Sequence, residues 1–172
     1  MLLSGMGGAG KSKVIKTFIK FARNVSLSCG WSYDTNTVRI SAMTGSAASL
    51  LEDANTLHMT AGLNNKCDIT DTERKKWRYT KMLVIDEISF MTSNNIETLD
   101  RRLRAMTEKS DKLFGGIHVV FVGDFHQLKP VKGSALYEKS TAQIQALNKA
   151  IFLNINHRAK DDLGYAQMQR QM

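Results

Sequence analysis

Apolar positions along this chain keep two rhythms. Short unbroken runs at 82–85 and 119–122 have the length of strands buried on both faces. Leu2 and Leu3 end another strand, the run at 119–122 sits in a strand over 117–122, and further strands are predicted at 38–43 and 151–153. Between the strands the spacing turns helical. Val14, Ile15, Phe18, Ile19 and Ala22 line one face of a helix, with Lys13, Lys16, Lys20 and Arg23 interleaved. Ile96, Leu99, Leu103 and Met106 do the same for a second helix, whose Arg101, Arg102 and Arg104 fall on other faces and read as solvated. A small-residue helix starts at Gly45-Ser46-Ala47-Ala48, and a further helix is predicted over 142–150. The stretch 64–79 keeps neither rhythm and reads as a loop or insertion with a short helix. Strands alternating with helices predict an α/β fold, a mainly parallel sheet with helices on both faces. The 172 residues suit one domain with its own core, and no internal repeat or low-complexity tract breaks them up.

Composition narrows the class. The apolar share is 42% and the charged share 23%, as in ordinary globular chains, and no apolar run approaches membrane-spanning length. Cys29 and Cys67 lie far apart, without the spacing of a disulfide framework or a zinc site, which points to reduced thiols inside a cell. The histidines, at 58, 118, 126 and 157, also lack metal-ligand spacing. A formal net charge of +8, from 24 Lys and Arg against 16 Asp and Glu, suits a polyanionic partner such as nucleic acid, nucleotide or an anionic surface.

Three segments carry chemistry. The first is Gly5-Met6-Gly7-Gly8-Ala9-Gly10-Lys11-Ser12, a complete phosphate-binding loop between a strand and a helix. Its glycines let backbone N–H groups converge on phosphate oxygens, and the following helix aims its positive end at them. Lys11 is expected to reach the β- and γ-phosphates of ATP and Ser12 to ligate Mg²⁺; Gly5, Gly7, Gly8, Ala9 and Gly10 form the cradle. The second is the apolar run 83–85 ending in Asp86-Glu87. Asp86 is expected to hold Mg²⁺ through water and Glu87 to polarise the attacking water. Alone, such a pair is as often a solvated strand end; beside a phosphate loop the catalytic reading prevails. The third is a buried strand leaving through Gly123-Asp124-Phe125-His126-Gln127, where Gln127 is placed to sense the γ-phosphate. Trp77 and Tyr79 stand among Arg74, Lys75, Lys76 and Arg78. A solvated face over one packed aromatic is the more frequent meaning of that pattern, and a base-stacking patch the rarer one.

Together these motifs resemble the Pif-type family of 5′-to-3′ DNA helicases, which includes the helicase portions of Helitron transposons. Asp86-Glu87-Ile88-Ser89 is similar to the family's second motif, and the run from Leu113-Phe114-Gly115-Gly116 to Gln127-Leu128-Lys129-Pro130-Val131 to its third, with its glycine pair. Thr44-Gly45-Ser46-Ala47-Ala48, followed by Thr56-Leu57-His58, resembles the segment that family sets against single-stranded DNA. The resemblance therefore implies DNA contacts at Thr44, Gly45 and His58. Asn156-His157-Arg158 resembles the fourth motif, which gives Arg158 a place at the γ-phosphate. Two departures loosen the match: Ala159 stands where the family has glutamine, and Lys129 where it has proline. The fold so implied is a RecA-like P-loop NTPase lobe over 1–172. The implied cofactors are ATP and Mg²⁺, and the implied partners are single-stranded DNA and a second RecA-like lobe in cis. The implied location is intracellular, in the nucleus or mitochondrion of a eukaryote, with roles in DNA repair, recombination and telomere maintenance. The second lobe and the upstream glutamine segment that reads adenine are expected to belong to a longer parent protein.

The motor-lobe reading competes with a catalytically silent nucleotide- or DNA-binding relic of a mobile element, which turnover would separate from it. A small-molecule kinase is disfavoured, because no lid-like arginine cluster follows the second motif and the Gly123-Asp124-x-x-Gln127 segment has no use there.

Overall fold

The computed structural model describes residues 1–64, 68–125, 130, 133–138, 143, 147 and 149–157. Six parallel strands form one sheet: β1 (Leu2–Gly5), β2 (Val38–Ala42), β3 (Asn55–Thr56), β4 (Met82–Asp86), β5 (His118–Gly123) and β6 (Ala150–Leu153), in the spatial order β3-β2-β4-β5-β1-β6. The described helices are α1 (Lys11–Ser28), α2 (Gly45–Ala48), α3 (Leu57–Ala61), α4 (Asp71–Trp77) and α5 (Ser93–Thr107).

Alternation along the central strands feeds two cores. Leu83 and Ile85 of β4, with Val119 and Phe121 of β5, pack against Leu57, Trp77 and the Ile96, Leu99, Leu103, Met106 face of α5. Val84, Val120 and Val122 point the other way, to Leu3, Val38, Ile40 and Ile15 of α1. Each fully buried aliphatic contributes on the order of 1.5–3 kcal/mol, so this two-faced sheet is the main source of stability. The expected parallel α/β sheet with helices on both faces is what the chain forms.

Differences from the sequence reading are local. β3 and α3 arise where no element was expected, because a two-residue strand is too short to show alternation. The short helix expected within 64–79 is α4, opened by a reciprocal cap between Thr70 and Glu73. Trp77 is 2% exposed beneath the Arg39 guanidinium, 4.6 Å from its ring centre, whereas Tyr79 is 67% exposed. The packed-aromatic reading thus holds for Trp77. Arg102 departs from its expected solvated face: it is 6% exposed, donates to the Ala61 carbonyl and pairs with Glu73 at 2.9 Å. Burial is tolerable because both ends of the guanidinium find acceptors. Most of the helix expected over 142–150 lies outside the described residues.

Candidate functional site: the C-terminal rim of the sheet

Parallel strands present all their C-terminal ends on one rim, and the rim gathers the segments that the sequence singled out. β1 runs into the glycine loop and α1. The residue between them, Gly10, has φ +91°, a conformation that a side chain would strain. No side chain caps α1 at Gly10, in contrast to α2, α3, α4 and α5, each capped by a threonine (Thr44, Thr56, Thr70 and Thr92). A helix start without a side-chain cap suits an external anion. The Lys11 ammonium folds back over the loop, donating to the carbonyls of Gly5 at 2.5 Å and Met6 at 3.1 Å. Ser12 is exposed in the first turn, and the backbone N–H of His157 closes the other side by donating to Gly8 at 3.0 Å.

β4 delivers Asp86 and Glu87 to the same rim. Asp86 is 8% exposed. Burial pushes its carboxyl above the ordinary aspartate range; the Glu87 backbone N–H pulls it back, the Glu87 charge adds to the rise, and the Lys11 ammonium opposes it. Lys11 thus acts electrostatically on Asp86, which ties the loop to the acidic pair. Glu87 is held in a left-handed backbone conformation (φ +55°), with its N–H donating to Asp86 Oδ1 at 2.9 Å. The turn brings the next segment, Ile88–Phe90, hard against the end of β5. A methyl group on Gly123 would sit 2.8 Å from Ile88 Cγ1 and 3.0 Å from its backbone nitrogen, so glycine is required there.

β2 and β3 supply the remaining expected residues. Their register pairs Ala42 with Thr56, so Thr44 and His58 each follow the paired position by two residues and leave neighbouring strand ends. Thr44 reaches across to β4: its hydroxyl donates to Glu87 Oε2 at 3.0 Å. Sequence reasoning missed this link, and its signal is the β2–β4 register, which sets Ala42 opposite Asp86. Asp124, 6% exposed just past β5, was also given no role. Gln127 and Arg158 lie outside the described residues.

A parallel sheet whose strand ends carry a glycine loop with its lysine and a paired aspartate and glutamate defines the class of RecA-like P-loop lobes. The model of the PIF1-like helicase family matches residues 1–164, and the chain belongs to that family. It is similar to the ATP-dependent DNA helicase RRM3 of Saccharomyces cerevisiae, with 36% identity over 138 residues, 74% of this chain and 18% of the relative. The ATP-dependent DNA helicase Pif1 of a Psychrobacter species is 31% identical over 180 residues, 95% of this chain and 26% of the relative. This chain therefore spans between 18% and 26% of the length of these two relatives. Among solved structures, Pif1 helicase from Candida albicans superposes with a TM-score of 0.80 at 28% identity, over 99% of this chain and 40% of that one. Pif1 from a Bacteroides species in complex with ADP-AlF4 gives 0.64 at 28% identity, over 91% and 38%. Bacteroides Pif1 bound to ssDNA gives 0.66 at 26%, over 92% and 39%.

Proposed function

We propose that this lobe binds Mg·ATP on the C-terminal rim and, with a second RecA-like lobe in the parent protein, couples ATP hydrolysis to movement along single-stranded DNA. The observation that carries this is the convergence of the uncapped glycine loop, its lysine and the Asp86–Glu87 pair on one rim. The related Bacteroides Pif1 structures, one with ADP-AlF4 and one with ssDNA, support nucleotide and DNA as the two ligands.

The residues fit the group they would hold. Asp86 is a buried carboxylate whose ionised form burial disfavours, and a divalent cation offsets that penalty. Mg²⁺, when bound, would supply positive charge that neutralises the phosphates. Ser12 and Asp86 would hold it, Asp86 through water. Lys11 leaves the Gly5 and Met6 carbonyls for the β- and γ-phosphates, while the backbone N–H groups of residues 5–12 cradle them. Glu87 accepts a proton from the attacking water, Gln127 senses the γ-phosphate, and Arg158 approaches it from the edge of the lobe. Thr44, Gly45 and His58 contact the DNA backbone. Service in repair, recombination or telomere maintenance, in a nucleus or mitochondrion, belongs to this reading of the parent protein.

The test is ATP turnover by the chain with and without single-stranded DNA, beside Glu87→Gln and with nucleotide affinity measured in parallel. DNA-stimulated turnover lost in Glu87→Gln is the expected result for a lobe that works or assembles alone. Nucleotide binding without turnover favours the silent-fragment reading of the isolated chain, and loss of both ligands overturns the proposal.

A further inference from the structure

The Thr44 hydroxyl bridges the two halves of that reading, the DNA segment and the catalytic base. Its hydrogen-bond capacity is fully used. A threonine hydroxyl has one hydrogen to donate and two lone pairs with which to accept. The oxygen accepts from the Ala47 backbone N–H at 3.2 Å, capping α2, and lies 3.2 Å from Ser46 Oγ. The Glu87 carboxylate, 3.0 Å away, offers no hydrogen, so Thr44 donates there. With its only hydrogen committed to Glu87, Thr44 must accept from Ser46.

A DNA phosphate is likewise all acceptor, so it binds this hydroxyl only by taking the hydrogen that Glu87 now receives. The Glu87 backbone is fixed by its left-handed turn and by the N–H donated to Asp86. Side-chain rotation is therefore the motion left to it, and Thr44 is the only hydrogen-bond partner of its carboxylate among the described residues.

We propose that Thr44 is a positioning residue for Glu87: without DNA its hydroxyl holds one oxygen of the Glu87 carboxylate, and a phosphate of single-stranded DNA frees that oxygen by competing for the same hydrogen. This rests on the reading of Thr44 as a DNA contact and Glu87 as the base. It makes DNA stimulation of hydrolysis a consequence of one shared proton. Thr44→Ser keeps the switch, and Thr44→Val, nearly the same shape, removes it.

The experiment follows the side-chain carboxyl carbon resonance of Glu87 by NMR in the 172-residue chain, assigned by its loss in Glu87→Gln, during titration with an oligothymidylate. Fluorescence anisotropy reports binding of the same oligonucleotide. In the wild type and Thr44→Ser the resonance should move as the oligonucleotide binds. In Thr44→Val it should be displaced from the start and unresponsive, while DNA affinity falls only roughly fivefold, because in the wild type the bond to phosphate merely replaces the bond to Glu87. A wild-type Glu87 resonance unmoved at saturating DNA overturns the inference and leaves the DNA reading intact. So does a Thr44→Val resonance that follows DNA as the wild type does. Absence of any oligonucleotide binding overturns the DNA reading, and the inference with it. Should Thr44→Val fail to fold, the wild-type and Thr44→Ser titrations decide alone.

Discussion

Two aspartates of this lobe are buried to nearly the same degree, Asp86 at 8% exposure on the strand-end rim and Asp100 at 5% in α5, yet the fold treats them oppositely. Burial by itself raises the Asp100 carboxyl. Hydrogen bonds from Arg104 at 2.9 Å, Gln143 at 2.9 Å and the Phe114 backbone N–H at 2.6 Å, with the Arg104 charge, outweigh it and leave Asp100 below the ordinary range. Asp86 accepts one backbone N–H, and burial leaves its carboxyl raised. Around Asp100 the polar groups saturate one another: Thr107 shares its one hydroxyl hydrogen between the Leu103 and Gly115 carbonyls, and Arg102 donates to Ala61 and Glu73. Among the described residues, the Asp86 carboxylate keeps the rest of its acceptor capacity open. On the proposed reading, the difference separates a group that holds the fold from one that awaits a ligand.

The strongest way to break this contrast is Asp100→Ala. It leaves the buried Phe114 N–H without its acceptor and takes the partner from the partly exposed Arg104, so about 2–4 kcal/mol of unfolding free energy should be lost in urea denaturation. A loss below about 1 kcal/mol would mean that the Asp100 network is ornament. Next in size is Lys11→Ala. Two charge-assisted donations to phosphate disappear, so affinity for ATP should fall by roughly 10- to 100-fold. The urea midpoint should barely move, since the Gly5 and Met6 carbonyls that Lys11 folds over are only half-buried and stay within reach of water. Unchanged affinity would refute the loop as the nucleotide site.

Both ends of the contrast were not equally legible in the sequence. The rim is written locally: glycines at fixed spacing, an apolar run that stops at two acids, and threonines before helices. Gly5 to Ser12 and Asp86-Glu87 therefore stand where the motifs put them. The Asp100 network is written across distance. Its acceptor meets Phe114 fourteen residues on and Gln143 forty-three residues on, and Arg102 finds Glu73 twenty-nine residues back. Helical periodicity marks these positions as polar and therefore solvated; tertiary partners bury them. The Thr44–Glu87 bond, spanning forty-three residues, is hidden for the same reason, since only strand register brings the two together.

A finer test uses pH. A carboxyl whose folded pKa is raised destabilises the fold above that value, and the penalty fades as pH falls towards the ordinary aspartate value of about 3.9. Asp86→Asn, which keeps an oxygen for the Glu87 N–H, should therefore gain about 1 kcal/mol at neutral pH, a rise of roughly 2–4 °C in Tm. That gain should shrink on acidification while the pH is still above the ordinary aspartate range. Asp100 has a lowered pKa, so its stabilisation is complete above the ordinary value and is lost only below it. Thermal melts of Asp86→Asn and Asp100→Asn across acid pH should thus change in separate windows. Coincident windows would erase the distinction between the two aspartates.

The smallest effect is expected at Glu87, and its smallness is the point. Non-glycine residues in the left-handed region occur on both sides of the contrast, Glu87 at φ +55° and Phe114 at φ +51°. The Phe114 side chain is buried edge-on to Phe121, with ring centres 6.0 Å apart, so packing repays its strain. Among the described residues, Glu87 has one side-chain bond, from Thr44, and no place in either core. Glu87→Gly should recover about 1–2 kcal/mol of backbone strain. Against this stand about 0.4–1 kcal/mol for the freer unfolded glycine and about 0.5–1.5 kcal/mol for the lost hydrogen bond. These terms nearly cancel, so stability in urea should stay within about 0.5 kcal/mol of the wild type while DNA-stimulated turnover disappears. A stability loss above about 2 kcal/mol would place Glu87 with Asp100 among the residues that hold the fold, and the strain at its backbone would need another explanation.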